Sequence, residues 1–220
     1  MITQKKKEIS PRVIGRLSVY RRSLNRLAGE GVTDVHSHEL ASMARVSAAQ
    51  VRRDLMVVGY QGSPTKGYAI VQLLANISEL LDAPEAEGVA LVGVGNLGRA
   101  ILAYFAGRRP KLSIVAAFDN DPSKVGRMMH GCPCYPGERM NEIISQNRIR
   151  TAIVAVPASV AQAVVDELVR CGVRGILNFA PVRLRVPAEV YVEDFDMAVG
   201  LEKVAYFARQ YAPVSEGEKR

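Results

Sequence analysis

Cysteine is scarce in this chain, with three in 220 residues. So small and odd a number builds no disulfide framework and suits a reducing compartment, so a cytoplasmic location is expected. Long apolar runs are missing too. No stretch reaches the roughly 18–20 uncharged apolar residues that a membrane helix needs, and no partner membrane is expected. The start, Met1-Ile2-Thr3-Gln4-Lys5-Lys6-Lys7-Glu8, is basic but carries no apolar h-region, so it does not read as a signal peptide. Internal repeats and low-complexity tracts are absent. Only one of the three histidines, His130, lies beyond residue 88.

What is present suits a packed soluble protein: 48% hydrophobic and 23% charged residues, on a length comfortable for two domains. The net charge of +7 is unevenly spread. Residues 1–80 hold twelve Lys and Arg against six acids, so nearly the whole excess sits in the first third. That distribution points to a polyanionic partner. The polar stretch Asp82-Ala83-Pro84-Glu85-Ala86-Glu87-Gly88 separates the two parts. The expected division is 1–82, a linker at 83–88, a second domain at 89–195 and a tail at 196–220.

In the first part, Ser10-Pro11 opens a helix whose apolar residues, from Val13 through Leu17, Tyr20 and Leu24 to Ala28, follow helical spacing. Ser37 starts a short second helix with Leu40 and Met43 turned inward. Ser47-Ala48-Ala49-Gln50 matches a capping box and opens a third, in which Val51, Leu55 and Val58 face the core. Two short helices joined by a tight turn, the second presenting Gln and Arg near its start, form a helix-turn-helix. Such a helix fits the major groove, where Gln and Arg reach adenine and guanine edges and further basic residues meet phosphates. Gly59–Tyr68 reads as a hairpin wing with a basic tip, and a last helix follows at about Val71–Leu81. The expected partner is double-stranded DNA, contacted by Arg12, Ser47, Ala48, Gln50, Arg52, Arg53 and Lys66. A helical domain that meets protein instead is the alternative.

After the linker, strands and helices alternate: strands at Val89–Val92, Ser113–Phe118, Ala152–Val156 and Gly175–Asn178, helices at Arg99–Ala106, near Gly137–Asn147 and at Ala158–Cys171. This predicts a doubly wound α/β sheet of Rossmann type. Its first turn is Gly93-Val94-Gly95-Asn96-Leu97-Gly98, with a strand before it, a helix after it and Asp119 at the next strand end. Gly93 permits the turn, Gly95 admits a pyrophosphate and Gly98 lets helix and strand approach. Asp119 suits ribose hydroxyls and opposes a 2′-phosphate, so NAD(H) is the expected cofactor. Val156-Pro157-Ala158 and Asn178-Phe179-Ala180-Pro181 sit at strand C-termini and are candidates for the nicotinamide walls.

No catalytic residue is expected, because the sheet offers no positioned His or Lys and no Tyr-x-x-x-Lys pattern. His130, Cys132 and Cys134 lack a fourth ligand, so no metal is expected either. A small NAD-dependent oxidoreductase whose first domain only dimerises, and a CoA-binding protein, are the other readings.

Taken together, Val51-Arg52-Arg53-Asp54-Leu55, the glycine turn, Phe118-Asp119-Asn120-Asp121-Pro122, Gly175–Pro181 and Tyr206-Phe207 resemble the Rex family of redox-sensing transcriptional repressors over about residues 9–210. The resemblance implies a winged-helix domain before the Rossmann domain and a C-terminal helix, about Met197–Gln210, swapped onto a partner subunit. It implies a homodimer on palindromic operator DNA, bound with NAD+ or an empty site and released by NADH. It also implies that Asn120 and Asp121 belong to the cofactor site. Arg22 and Asp196 would form an inter-subunit pair present in one state only, with Met197 beside the nicotinamide. The sequence departs from the family at Val58, where Phe is common, and at Pro64, near a common Arg.

Overall fold

Ser10 and Pro11 open α1 (Pro11–Gly29). The Ser10 carbonyl, rather than its hydroxyl, receives the first helical N–H groups, those of Val13 and Ile14. The computed structural model describes residues 9–60, 62–63, 65–108 and 111–211, and the chain falls into two units, Met1–Pro84 and Glu85–Arg220.

In the first unit, α2 (Ser37–Ala44) and α3 (Ala48–Val57) are joined by a turn in which Arg45 adopts the left-handed conformation, φ 54°. A two-residue strand, β1 (Asp34–Val35), pairs antiparallel with β2 (Tyr68–Ala69), and α4 (Ile70–Leu81) follows. Strands this short leave no period in the sequence, which is why β1 escaped the reading. The core joins Leu17, Tyr20 and Leu24 of α1 to Leu40, Val51, Leu55, Ile70, Leu73 and Ile77. Each fully buried aliphatic contributes about 1.5–3 kcal/mol of burial free energy. Met43 is only half-buried, and Val58, at the end of α3, packs against the core's margin.

Ser63 and Gly67 exchange backbone hydrogen bonds of 2.7 and 2.8 Å, closing a tight turn that leaves Lys66 exposed. Gly67 is required there twice over: its φ is +77°, and a Cβ would stand 2.6 Å from the Val35 carbonyl oxygen. Pro64 lies outside the described residues.

The second unit carries the sheet β3 (Glu87–Val92), β4 (Leu112–Phe118), β5 (Met128–Met129), β6 (Cys132–Tyr135), β7 (Thr151–Val154), β8 (Gly175–Asn178) and β9 (Tyr191–Asp194). The strand order is β5-β6-β4-β3-β7-β8-β9, parallel throughout except at β5. Helices α5 (Asn96–Phe105), α6 (Met140–Gln146) and α7 (Ala158–Arg170) connect the strands. Along β3, Ala90 and Val92 face a core that includes α6 and α7, and Val89 and Leu91 face one that includes α5. This alternation covers both faces. The winding reverses between β3 and β7, so a crevice opens at their C-terminal ends. Both β3 and α5 begin earlier than expected, at Glu87 and Asn96.

Cys132 and Cys134 face the α5 side of the core, while His130 sits exposed in the β5–β6 turn with φ 49°. The three groups therefore do not converge. Burial pushes the Cys132 thiol up to about 12. The last helix, α8 (Met197–Gln210), has no buried residue. Among the described residues no helix is long and apolar enough to cross a membrane.

Candidate functional site

The glycine turn after β3 separates three demands. Gly93 has φ +93°, and a Cβ on it would lie 2.4 Å from the Ala155 carbonyl oxygen at the end of β7. A Cβ at Gly98 would lie 2.0 Å from the Gly93 carbonyl oxygen, so α5 packs onto the turn only because nothing projects there. Gly95 differs from both. Its backbone is extended, φ −75°, and a Cβ would meet nothing within 4 Å. The protein itself has no need of glycine at that position. Gly95 lines a cavity and caps α5, whose first N–H groups carry the positive end of the helix dipole.

Asp119 stands directly after β4. One carboxylate oxygen accepts the Val94 N–H at 2.7 Å and the Lys124 ammonium at 3.1 Å; the other accepts the Asp121 N–H at 2.9 Å. Burial alone would raise its pKa. The N–H groups of Asp121 and Val94, with Lys124, outweigh that and hold the carboxyl below the usual carboxylate range. Lys124 also reaches Asp121 at 3.4 Å. A carboxylate is thus fixed against the glycine turn, where ribose hydroxyls have an acceptor.

The cavity measures about 700 Å³. It runs from Gly93 and Gly95 past Asp119, Asn120 and Lys124, along Val156, Pro157 and α7 as far as Glu167. Met140, Val160, Ala163 and Val164 give its far end an apolar wall suited to a flat heteroaromatic base. Sequence reasoning missed that wall and Lys124. The wall is built by helix faces meeting only after the sheet winds. Lys124 had a local signal, since it sits three residues from Asp121 and five from Asp119.

Asn96, Leu97 and Ala158 stand at the starts of α5 and α7. The 178–181 turn follows the C-terminal end of β8. Asn178 is 1% exposed, and its amide donates to the Ala180 and Val182 carbonyls and the Asp194 carboxylate while its oxygen accepts the Ala180 N–H. This side chain knits its own turn to β9. Phe179 packs at 5.1 Å between ring centroids on Phe195. None of the four residues lines the cavity. Asp196 caps α8, accepting the N–H groups of Ala198 and Val199. Met197 and Arg22 are exposed.

In the first unit α3 presents Arg52, Arg53 and Met56 to solvent. Ser47 caps it, its hydroxyl accepting the Gln50 N–H at 3.1 Å. Only that half of the expected capping box forms, because the Gln50 side chain is engaged elsewhere. Arg52 donates to the Ser37 hydroxyl, tying α3 to α2. Beneath α3, Asp54 is 1% exposed and accepts both arms of Arg16, at 2.6 and 2.7 Å, and the Tyr20 hydroxyl at 2.9 Å. Arg12, Lys66 and Ser47 are exposed and Ala48 half-buried. A basic, rigidly seated helix of this kind can enter a groove of duplex DNA.

Comparison with known proteins places both units. The model of a family described as "Putative DNA-binding protein N-terminus" matches residues 8–55, and that of a family described as "CoA binding domain" matches residues 85–182. The redox-sensing transcriptional repressor Rex of Exiguobacterium sp. is 39% identical over 98% of this chain and 99% of its own length. Among solved structures, RSP, a Rex-family repressor, in complex with NAD+ and operator DNA matches with a TM-score of 0.84 and 31% identity over 93% of this chain and 94% of that one. RSP in complex with NADH matches with a TM-score of 0.81 and 31% identity over 92% and 95%. With these relatives spanning nearly its whole length, the chain belongs to the Rex family of redox-sensing transcriptional repressors.

Proposed function

We propose that this protein represses transcription as a homodimer on palindromic operator DNA, holding it with NAD+ bound or with the site empty and releasing it when NADH binds. The observation that carries the reading is the open space at Gly95, at a helix N-terminus and within reach of a fixed carboxylate. A dinucleotide fills that space: pyrophosphate over Gly95, adenosine ribose on Asp119, adenine against the apolar wall. Asn120 and Asp121 belong to this end, and Val94, Asn96, Leu97 and Gly98 shape the turn beneath the phosphates. RSP, solved with NAD+ and operator DNA and with NADH, supports the same ligands for this relative. The N-terminal domain ends near residue 82, the linker spans 83–88 and the tail begins near 196.

NAD+ and NADH differ by one charge and by ring planarity, so only contacts near the nicotinamide distinguish them. A 100-fold preference requires about 2.7 kcal/mol, within reach of one rearranged pocket. Val156, Pro157 and Ala158 stand on the side toward which that ring extends, with Phe179, Ala180 and Pro181 further along the sheet edge. The dimer supplies the output, because two recognition helices must match half-sites spaced by a whole number of helical turns. In α8, Met197, Leu201 and Val204 follow one another at helical spacing and are each more than half exposed, an apolar stripe for a partner subunit. Swapped α8 helices would bring Asp196 of one protomer to Arg22 of the other in one state only. DNA contacts fall to Arg12, Ser47, Ala48, Arg52, Arg53 and Lys66.

Catalysis is not part of this function. The relatives that span nearly its whole length are named as transcriptional repressors. Buried, protonated thiols at Cys132 and Cys134 leave the redox signal to the nucleotide. Because DNA is the target, the protein works in the cytoplasm.

A CoA ligand is the second reading, favoured by the family description over 85–182. Asp119 opposes it, since a ribose phosphate would meet a carboxylate. Two measurements test the proposal. A randomised duplex library is expected to yield one palindromic sequence with the full chain and NAD+, and none with NADH; equal enrichment in both would overturn it. NADH is expected to raise the melting temperature and CoA to leave it unchanged, and the reverse would transfer the site to CoA.

A further inference from the structure

The buried carboxylate under α3 does more than hold two helices together. Asp54 accepts four donors on two oxygens: both arms of Arg16, the Tyr20 hydroxyl and the Gln50 amide at 2.8 Å. The Gln50 carbonyl oxygen in turn accepts the Arg53 guanidinium at 2.9 Å. Only one orientation of the Gln50 amide serves both partners, because Asp54 offers no donor and Arg53 no acceptor. Its backbone N–H is held by Ser47. Gln50 is therefore fixed at three points. A glutamine that reads adenine must offer its N–H and its carbonyl together to the base edge. Here that would strip a donor from a carboxylate 1% exposed to solvent and release Arg53 as well.

We infer that Gln50 is a positioning residue rather than a base reader, and that the row Asp54–Gln50–Arg53 aims the Arg53 guanidinium at a guanine edge in the operator. The inference rests on the DNA-binding reading above and deepens it. Arg53 is exposed and uses one N–H on Gln50, leaving its other donors to the O6 and N7 acceptors of guanine. Seating an arginine before binding reduces the side-chain freedom lost at the interface, which favours the base that matches its fixed fork.

The test uses the full-length protein with saturating NAD+ and the duplex selected from a randomised library, together with every single-base-pair substitution of one half-site. Arg53→Ala is expected to abolish the preference for one G·C pair, and Gln50→Ala to weaken preference at that same pair by about tenfold. All other pairs should keep their wild-type ranking, and Gln50→Met, which keeps the shape without the polar atoms, should behave like Gln50→Ala. The double variant should lose no more discrimination than Arg53→Ala alone. A partly unfolded variant weakens binding to every duplex alike, so a loss confined to one pair is not produced by misfolding. If Gln50→Ala relaxes a different pair, or none, the inference is overturned while DNA reading stands. If the wild-type chain enriches no sequence, the DNA-binding reading falls and the inference with it.

Discussion

Two glycines three residues apart carry opposite burdens. At Gly98 a side chain would run into the Gly93 carbonyl, whereas at Gly95 it would meet no protein atom within 4 Å. Gly98→Ala is therefore expected to destabilise the ligand-free chain by about 1–3 kcal/mol, seen as a lower melting temperature. Gly95→Leu should melt like wild type without ligand and gain nothing from NADH. Asp119→Asn loses the charge that Lys124 and the two N–H groups converge on. Calorimetric titration should show NADH affinity reduced about 10–100-fold, the range expected for hydrogen bonds to a charged group. Asp54 makes a prediction with a sign. Burial would raise its pKa, but hydrogen bonds from Arg16, Gln50 and Tyr20 hold it below the ordinary value of 3.8. A depressed carboxylate adds stability above its unfolded pKa and loses it as pH falls through the folded value. Asp54→Asn should therefore be about 3 kcal/mol less stable than wild type at pH 7 in urea unfolding, and the gap should shrink as the pH falls below 4.

Among the described α-helices, α8 is the one with no buried residue. Its apolar stripe is exposed, so replacing Leu201 and Val204 together with Glu should leave the monomer's fold intact and remove the dimer. Light scattering after size-exclusion chromatography is expected to report half the wild-type mass, and an unchanged mass would assign the dimer elsewhere. Legibility in the sequence also divides by element. Helices α1, α3 and α7 were readable because their apolar periods run for two turns or more and α1 and α3 begin with Ser. The turn Gly93–Gly98 was readable because close packing and φ leave glycine as the one solution at two of its positions. β1 and β5, two residues each, carry no period, and β6 holds a proline between its cysteines. The cavity's apolar wall could not be read because it joins residues from α6 and α7 that only the winding of the sheet brings together. Asn178 is ambiguous in the sequence for a related reason. A polar residue at a strand end looks the same in sequence whether it faces a ligand or closes its own turn.

For the whole molecule, two units of different chemistry are carried on one chain: a basic reading head with a saturated polar core, and an α/β sheet whose crevice holds a carboxylate and an open glycine. In the function proposed above, they are joined by a free-energy difference between two nucleotides delivered to the spacing of two recognition helices. The most direct measurement is fluorescence anisotropy of a labelled operator duplex, titrated with the full-length protein at saturating NAD+ and at saturating NADH under one fixed salt concentration. The account predicts tight binding with NAD+ and affinity weaker by about 100-fold with NADH, which corresponds to about 2.7 kcal/mol of coupling. Equal affinity in the two titrations would contradict it.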